Sequence, residues 1–205
     1  MIVIINYGLG NNGSILNMLR KVGCREAVIS SKPEDILSAT KLILPGVGHF
    51  DKGISNLADR GLIEPLKERV LEGKAPLLGI CLGMQMLAKR SEEGAEKGLG
   101  LIKGDVRRFS FTDGQTLKIP HMGWNHVKFA KESPIAMGLE DDARFYFVHS
   151  YHLAFENEDD ILTLTEYGYE FVSAVAHDNI LGVQFHPEKS HKFGMKLLKN
   201  FVELI

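Results

Sequence analysis

Four times in its first half the chain repeats one arrangement: a short, unbroken apolar run that ends in a turn and, in most cases, leads into a segment of helical spacing. "MIVIIN" (1–6) is rich in β-branched residues and shows no polar alternation, as expected of a strand buried on both faces. It passes through the glycine turn "NYGLGNNGS" into "SILNMLRKVG". There Ile15, Met18, Leu19 and Val22 recur at helical spacing, with Ser14 expected as N-cap and Gly23 as the stop. "EAVIS" (26–30) and residues 42–44, ahead of Pro45, read as the second and third strands. The span 51–73 is helical in period, with Ile63, Leu66, Val70 and Leu71 expected in the core. "APLLGI" (75–80) is a fourth strand and runs at once into the helix-like "LGMQMLAKR". Strands and helices alternating in this rhythm pack as a parallel, doubly wound sheet.

The second half changes character. Short strands are expected around 105–111, 117–120, 125–129, 145–155, 161–166, 171–176 and 180–185. A last helix, about 190–204, carries Phe193, Leu197, Phe201 and Leu204 on one face. No linker, repeat or low-complexity stretch interrupts the chain, so residues 1–205 are expected to form a single α/β domain with an added β-rich region. At 205 residues, 44% of them hydrophobic, it can bury a sizeable core. A net charge of −2 provides no electrostatic basis for binding nucleic acid or an anionic membrane. No apolar run is long enough to span a bilayer and no charged leader with a cleavage site opens the sequence, so a soluble, cytoplasmic protein is expected. Its two cysteines, Cys24 and Cys81, are then expected to be free thiols.

Gly8, Gly10 and Gly13 spell G-x-G-x-x-G between a strand and a helix, where a dinucleotide-binding loop would lie. Such a site also wants an acidic residue about 20 positions further on, at the end of the second strand. Ser30, Ser31 and Lys32 stand there instead, and Glu34 and Asp35 follow only after Pro33. The reading favoured is a tight turn, and no cofactor is expected.

The stronger signal is "LLGICLGMQ" (77–85). Gly79-Ile80-Cys81-Leu82-Gly83 has the form Gly-x-nucleophile-x-Gly at the end of a buried strand, the cysteine version of a nucleophile elbow. Small neighbours let the backbone crowd, the turn lifts the thiol above the sheet edge, and the following helix N-terminus favours the thiolate. The Leu82 amide is then placed to donate to a developing oxyanion. A buried structural cysteine is the alternative. What a thiol nucleophile further needs is present in "VQFHPEKS" (183–190): His186 as base and, across Pro187, Glu188 to orient it. The two motifs lie far apart in sequence, as the parts of triads do. Cys24 has no such setting. His149 and His152, three positions apart in a strand-like run, are expected on opposite faces, and His186 and His191 lack a third ligand, so no metal site is expected.

"PGVGHF" (45–50), "GICLGMQ" (79–85) and "FHPEKS" (185–190) resemble the three signatures of the class I (triad-type) glutamine amidotransferases. "NYGLGN" (6–11), "IPHMGWN" (119–125) and "YFVHSY" (146–151) carry the resemblance further, to the glutaminase subunits that serve imidazole glycerol phosphate formation in histidine biosynthesis; it covers essentially the whole chain. The resemblance implies a flavodoxin-like fold and hydrolysis of glutamine to glutamate and ammonia. It implies Cys81 as nucleophile, His186 as general base and acid, Glu188 as its orienting partner, and the amides of Val47 and Leu82 as oxyanion donors. Glutamine would be held by Gly48, Gln85, His149, Ser150 and Tyr151. Gln85 does lie one turn beyond Cys81 on the same helix face, although a solvated helix residue is the plain alternative.

The resemblance also implies that ammonia passes through a tunnel to a (β/α)8-barrel synthase subunit, with no metal or organic cofactor. Asn6, Tyr7, Gly8, Asn11, Pro120, Met122, Trp124 and Asn125 would face that partner. Trp124, the single tryptophan, suits an interface anchor, with the core as its alternative. The chain departs from the family at Asn12-Gly13, where Leu and often Arg precede Ser14, and at His191, where glutamine is commoner. Neither change touches the triad. The runner-up is therefore a paralogous subunit supplying ammonia to a surface-polysaccharide sugar amidotransferase. Readings of other classes are a flavodoxin-like nucleotide-binding protein, a non-catalytic regulatory subunit and a cysteine peptidase.

Overall fold

The uninterrupted apolar runs become the middle of a sheet covered on both faces. Ile2–Ile5 (β1) is buried at all four positions between two parallel neighbours, Ala27–Ser30 (β2) and Lys41–Leu44 (β3). Leu77–Ile80 (β4) extends the sheet parallel to β3. Further strands are Gly104–Arg108 (β5), His121–His126 (β6), Lys128–Phe129 (β7), Arg144–His149 (β8) and Tyr151–Phe155 (β9). Ile161–Glu166 (β10), Glu170–His177 (β11) and Ile180–Val183 (β12) complete them. The computed structural model describes residues 1–111, 117–139, 142–155 and 158–205.

The order β2-β1-β3-β4-β12 is parallel throughout, the doubly wound arrangement whose sites form at the carboxyl ends of the strands. Beyond β12 the sheet turns antiparallel through β11, β10 and β7, with β9 on β11 and β5 on β9; β6 and β8 pair separately. This is the mostly parallel sheet with an added β-rich region. Alternate residues feed two cores: Val3, Ile5, Leu42 and Leu44 pack on one face, Ile2, Ile4, Ile43 and Leu78 on the other. Edge strand β2 is the exception, with Val28 and Ile29 partly open to solvent.

The helices are Asn12–Lys21 (α1), Pro33–Ser38 (α2), Phe50–Asp59 (α3), Ile63–Lys67 (α4), Leu82–Met86 (α5) and His191–Leu204 (α6). Among the described residues no helix is long and apolar enough to cross a membrane. Several boundaries differ from the sequence reading. Helix α1 begins at Asn12, so Ser14 lies inside it and Asn11 takes the capping position without a side-chain bond. Its end is as expected: Gly23, at φ +97°, closes a C-terminal motif in which Cys24 N–H donates to Leu19 O (2.9 Å) and Gly23 N–H to Arg20 O (3.1 Å).

The span 51–73 is not one helix. It breaks at Gly61 (φ +65°), and its last turn, Glu68–Glu72, adopts the wider i→i+5 register. Gly73 N–H then donates to Glu68 O at 3.1 Å, Leu66 and Val70 remain buried, and Leu71 turns out to 47% exposure. The helix after Cys81 stops at Met86, residues 117–120 form no strand, and Ser150 separates β8 from β9. In α6, Leu197 and Phe201 are buried, but Phe193 is half-buried and Leu204, on the last turn, is exposed.

Two glycines show where the fold has no room and where it has room to spare. A Cβ on Gly83 would overlap the Leu44 carbonyl oxygen, whereas one on Gly13 would meet nothing within 4 Å. Urea unfolding should show Gly83→Ala destabilised by about 2 kcal/mol or more, and Gly13→Ala unchanged or stabilised by up to about 1 kcal/mol.

Candidate active site

Cys81 follows β4 directly and has φ +54° and ψ −111°, a strained conformation for any residue but glycine. The flanking glycines permit it. A Cβ at Gly79 would lie 2.8 Å from Met84 Cα, and Gly83 packs against the backbone of Leu44. The Gly-x-Cys-x-Gly spacing is thus a crowding requirement, and it presents the thiol at the sheet edge. The five-residue α5 that follows is shorter than the sequence suggested.

The adjacency of β4 and β12 brings the base to the thiol. Ile80 pairs with Val183, and Cys81 N–H donates to Val183 O at 2.8 Å, so the chain leaving β12 runs beside the elbow. His186 N–H donates to Tyr146 O (2.9 Å), and Ser190 Oγ donates to His186 O (2.6 Å) while accepting from Tyr146 N–H (3.0 Å). The single tight turn Pro187–Lys189 folds Glu188 back, and its Oε1 lies 2.8 Å from His186 Nδ1. Both side chains are buried, at 2% and 1% exposure. With Nδ1–H donating to the carboxylate, Nε2 is left for the thiol. Burial pushes the imidazole pKa down, but the Cys81 thiol and then Glu188 outweigh it and raise it to about 9.

Beside the thiol is a pocket of about 310 Å³, the low end of small-molecule sites. Val47, Leu82, Gly48, Gln85, His149, Ser150 and Tyr151, the residues assigned by resemblance to the oxyanion and to glutamine, all line it together with Cys81. Among the described residues the Val47 and Leu82 amides donate to no other backbone group. Gln85 is not a solvated helix residue: it is 5% exposed, and its Nε2 donates to Tyr151 O (2.9 Å) and Gln184 Oε1 (3.0 Å).

His149 donates from Nδ1 to Tyr151 O (2.7 Å) and accepts at Nε2 from His121 Nδ1–H (3.0 Å), whose own Nε2 accepts from Asn125 Nδ2–H (3.2 Å). Burial lowers the pKa of His149 to about 3 and that of His121 to about 4, so both are neutral and shape the pocket rather than move protons in it. The expectation that His149 and His152 face opposite ways fails. The break at Ser150 resets the alternation, and both rings pack on Phe109, with centroids 5.2 and 4.7 Å away.

Two residues of the site escaped the sequence reading. Gln184, fully buried, points Nε2 at Cys81 Sγ (3.7 Å); its signal was a polar residue closing an apolar strand. Glu93 is the one carboxylate among the described residues lining the pocket, and its Oε2 accepts from Phe50 N–H (2.8 Å). It lies in a polar loop with no motif to mark it. A larger groove of about 670 Å³, by Phe129, Lys131 and Met137, has no cysteine or histidine among the described residues that line it.

Of the residues assigned to a partner surface, Met122 (62%) and Trp124 (44%) stand out from β6, and Trp124 stacks on His191 at 5.4 Å, which disposes of the core alternative. Gly8, Asn11 and Pro120 are exposed, and Asn6 is half-buried. Asn125 is half-buried with its amide turned inward, donating to Glu166 O (2.9 Å) as well as to His121. Tyr7 is a correction: it is fully buried, packed in the core with its hydroxyl donating to Pro45 O. The glycine loop itself is closely packed against its neighbours. Gly8 closes on Arg60 and Gly10 on Pro45, where added Cβ atoms would lie 3.0 Å from each.

A strained thiol, an imidazole and a carboxylate at the carboxyl ends of parallel strands are the arrangement that a glutamine amidotransferase of the triad class uses. The chain belongs to that family: the profile of glutamine amidotransferase class-I matches residues 3–204. It is 56% identical over 203 residues, 99% of both chains, to the imidazole glycerol phosphate synthase subunit HisH 2 of Methanococcus maripaludis. It is 55% identical over 205 residues, 100% of both, to the HisH 2 subunit of Pseudomonas aeruginosa. The fold is shared with the solved glutaminase domain of Trypanosoma brucei CTPS with bound acivicin (TM-score 0.68, 17% identity, 98% of this chain and 92% of that one).

The raised imidazole pKa has a consequence for stability. A group whose pKa rises from 6.5 unfolded to about 9 folded stabilises fully below pH 6.5, and loses that contribution as pH climbs through about 9. Replacing Glu188 by Gln removes one of the causes. Denaturation from pH 6 to 10 should show the gap between wild type and Glu188→Gln largest at the acid end and narrowing upward; a pH-independent gap would contradict the coupling.

Proposed function

We propose that this chain, as a single domain over residues 1–205, is the glutaminase subunit of an imidazole glycerol phosphate synthase. The observation that carries the chemistry is the buried His186, hydrogen-bonded to Glu188 on one side and set against the Cys81 thiol on the other. At neutral pH the imidazole raised to about 9 is protonated and stabilises the Cys81 thiolate. The thiolate attacks the carboxamide carbon of glutamine, and the oxyanion formed takes hydrogen bonds from the Val47 and Leu82 amides. Collapse breaks the C–N bond as His186 gives its proton to the leaving nitrogen, releasing ammonia and leaving a glutamyl thioester. The neutral imidazole then takes a proton from water, the hydroxide attacks the thioester, and glutamate leaves. Glu93 suits the substrate's α-ammonium group, and Gln85, Ser150 and Tyr151 its remaining polar groups.

Glutaminase assays should find Cys81→Ala reduced by more than about a thousandfold, while Glu93→Gln keeps kcat and raises KM about tenfold or more. Activity surviving in Cys81→Ala removes it as nucleophile.

The high identity to HisH subunits supports a synthase subunit as partner and ammonia acceptor. The reading takes that partner to be a (β/α)8 barrel docking on the face that carries Gly8, Asn11, Met122 and Trp124. With glutamine as nitrogen source, the chain mixed with such a synthase should form imidazole glycerol phosphate, and Trp124→Ala should weaken the complex about thirtyfold, as loss of an aromatic anchor does. Glutamine turnover with no stimulation by that synthase, and stimulation by a sugar amidotransferase instead, would give the chain the other acceptor.

A further inference from the structure

The turn Pro45-Gly46-Val47-Gly48 has little to hold it. It leaves β3, contains two glycines, and has no ladder partner. Among the described residues a single hydrogen bond reaches the backbone of these four residues: the Tyr7 hydroxyl donates to Pro45 O at 2.6 Å. Tyr7 comes from the loop after β1, the neighbour of β3 in the sheet, and is fully buried. Gly46 is pressed between that phenol and the elbow. A Cβ there would lie 2.7 Å from Tyr7 Oη, 2.7 Å from Gly83 N and 2.8 Å from Leu82 Cβ. The phenol therefore sets both the orientation of the Pro45–Gly46 peptide and the depth at which the turn seats on Leu82-Gly83. That seating fixes how far Val47 stands from Leu82, two residues that line the pocket.

We infer that Tyr7 is a positioning residue for the reaction: its buried hydroxyl holds the Pro45–Gly48 turn against the Cys81 elbow, so that the Val47 and Leu82 amides meet one developing oxyanion. The inference rests on the glutaminase reading above. The phenol never meets substrate and acts only through the turn. Burial, and next the charge at Cys81, hold its pKa far above the ordinary 10, so it remains a donor throughout the working pH range.

Two reactions of the same thiol separate this role from a merely structural one. Hydrolysis of glutamine passes through an oxyanion, whereas alkylation of Cys81 by iodoacetamide displaces iodide and forms none. Tyr7→Phe, which removes one oxygen atom, should lower kcat for glutamine about 10- to 100-fold, the range of a misplaced oxyanion donor, with KM within about threefold. Its iodoacetamide rate should stay within about twofold of wild type. Equal losses in both reactions, or none in hydrolysis, overturn the role. If Tyr7→Phe does not fold, Gly46→Ala, which wedges a methyl group between phenol and elbow, should give the same split, and an equal loss in both reactions again overturns it. All variants are assayed alone and with the synthase. A wild-type chain without glutamine turnover in either condition sinks the glutaminase reading and the role together; normal wild-type turnover with an unaffected Tyr7→Phe sinks the role alone.

Discussion

The pairing of β4 with β12 is the contact on which the rest of the site depends. One parallel ladder, with Ile80 opposite Val183, joins strands about a hundred residues apart and places the two chain exits side by side. From one exit comes the Cys81 elbow, from the other Gln184, His186 and Glu188. A parallel pair cannot be closed by a hairpin, so everything between the strands must cross over, and here the crossover includes most of the β-rich region. That region is not ornamental: its β8 and β9 provide one wall of the pocket, and Tyr146 and Ser190 lock the backbone of His186.

Around the thiol, strain and burial are balanced by bonds. Cys81 holds a left-handed conformation because the glycines at 79 and 83 leave it space and because its own N–H and C=O are both bonded, to Val183 and Gln85. Nearly every polar side chain nearby is committed to a neighbour: Gln85 to Tyr151 and Gln184, His149 to Tyr151 and His121, His186 to Glu188. Among the described residues His186 Nε2 and Glu188 Oε2 are the atoms of this network left buried without a partner, and the bonds around them make a stiff wall, which suits the proposed task of holding a carboxamide in line with one sulfur. The exposed aromatic patch at Trp124 lies on the same strand as His121 and Asn125, whose side chains turn inward to that network.

The parallel core was legible because strands covered on both faces carry unbroken apolar runs, as β1, β3 and β4 do. The elbow was legible because only glycine fits at 79 and 83. Helix boundaries were less so. Ser14 looked like a cap but lies in the first turn, and the shift to a wider helical register at 68–72, which exposes Leu71, leaves no mark in a periodic pattern. Gln184 and Glu93 went unassigned because a glutamine or glutamate acquires meaning only from what it is folded against.

By itself, the sequence determined the sheet that forms, the elbow that places Cys81 just after β4, and the short-range pair His186 and Glu188, since local crowding, a proline and apolar patterning act over a few residues. The tertiary structure alone decided the rest. It set the imidazole against the thiol, put His149 and His152 on one aromatic ring, and placed Glu93 at the pocket. It also took Tyr7 from an apparent surface loop and buried its hydroxyl under Pro45. These are contacts between segments distant in the chain, and their geometry follows from strand order and register, which no local pattern encodes.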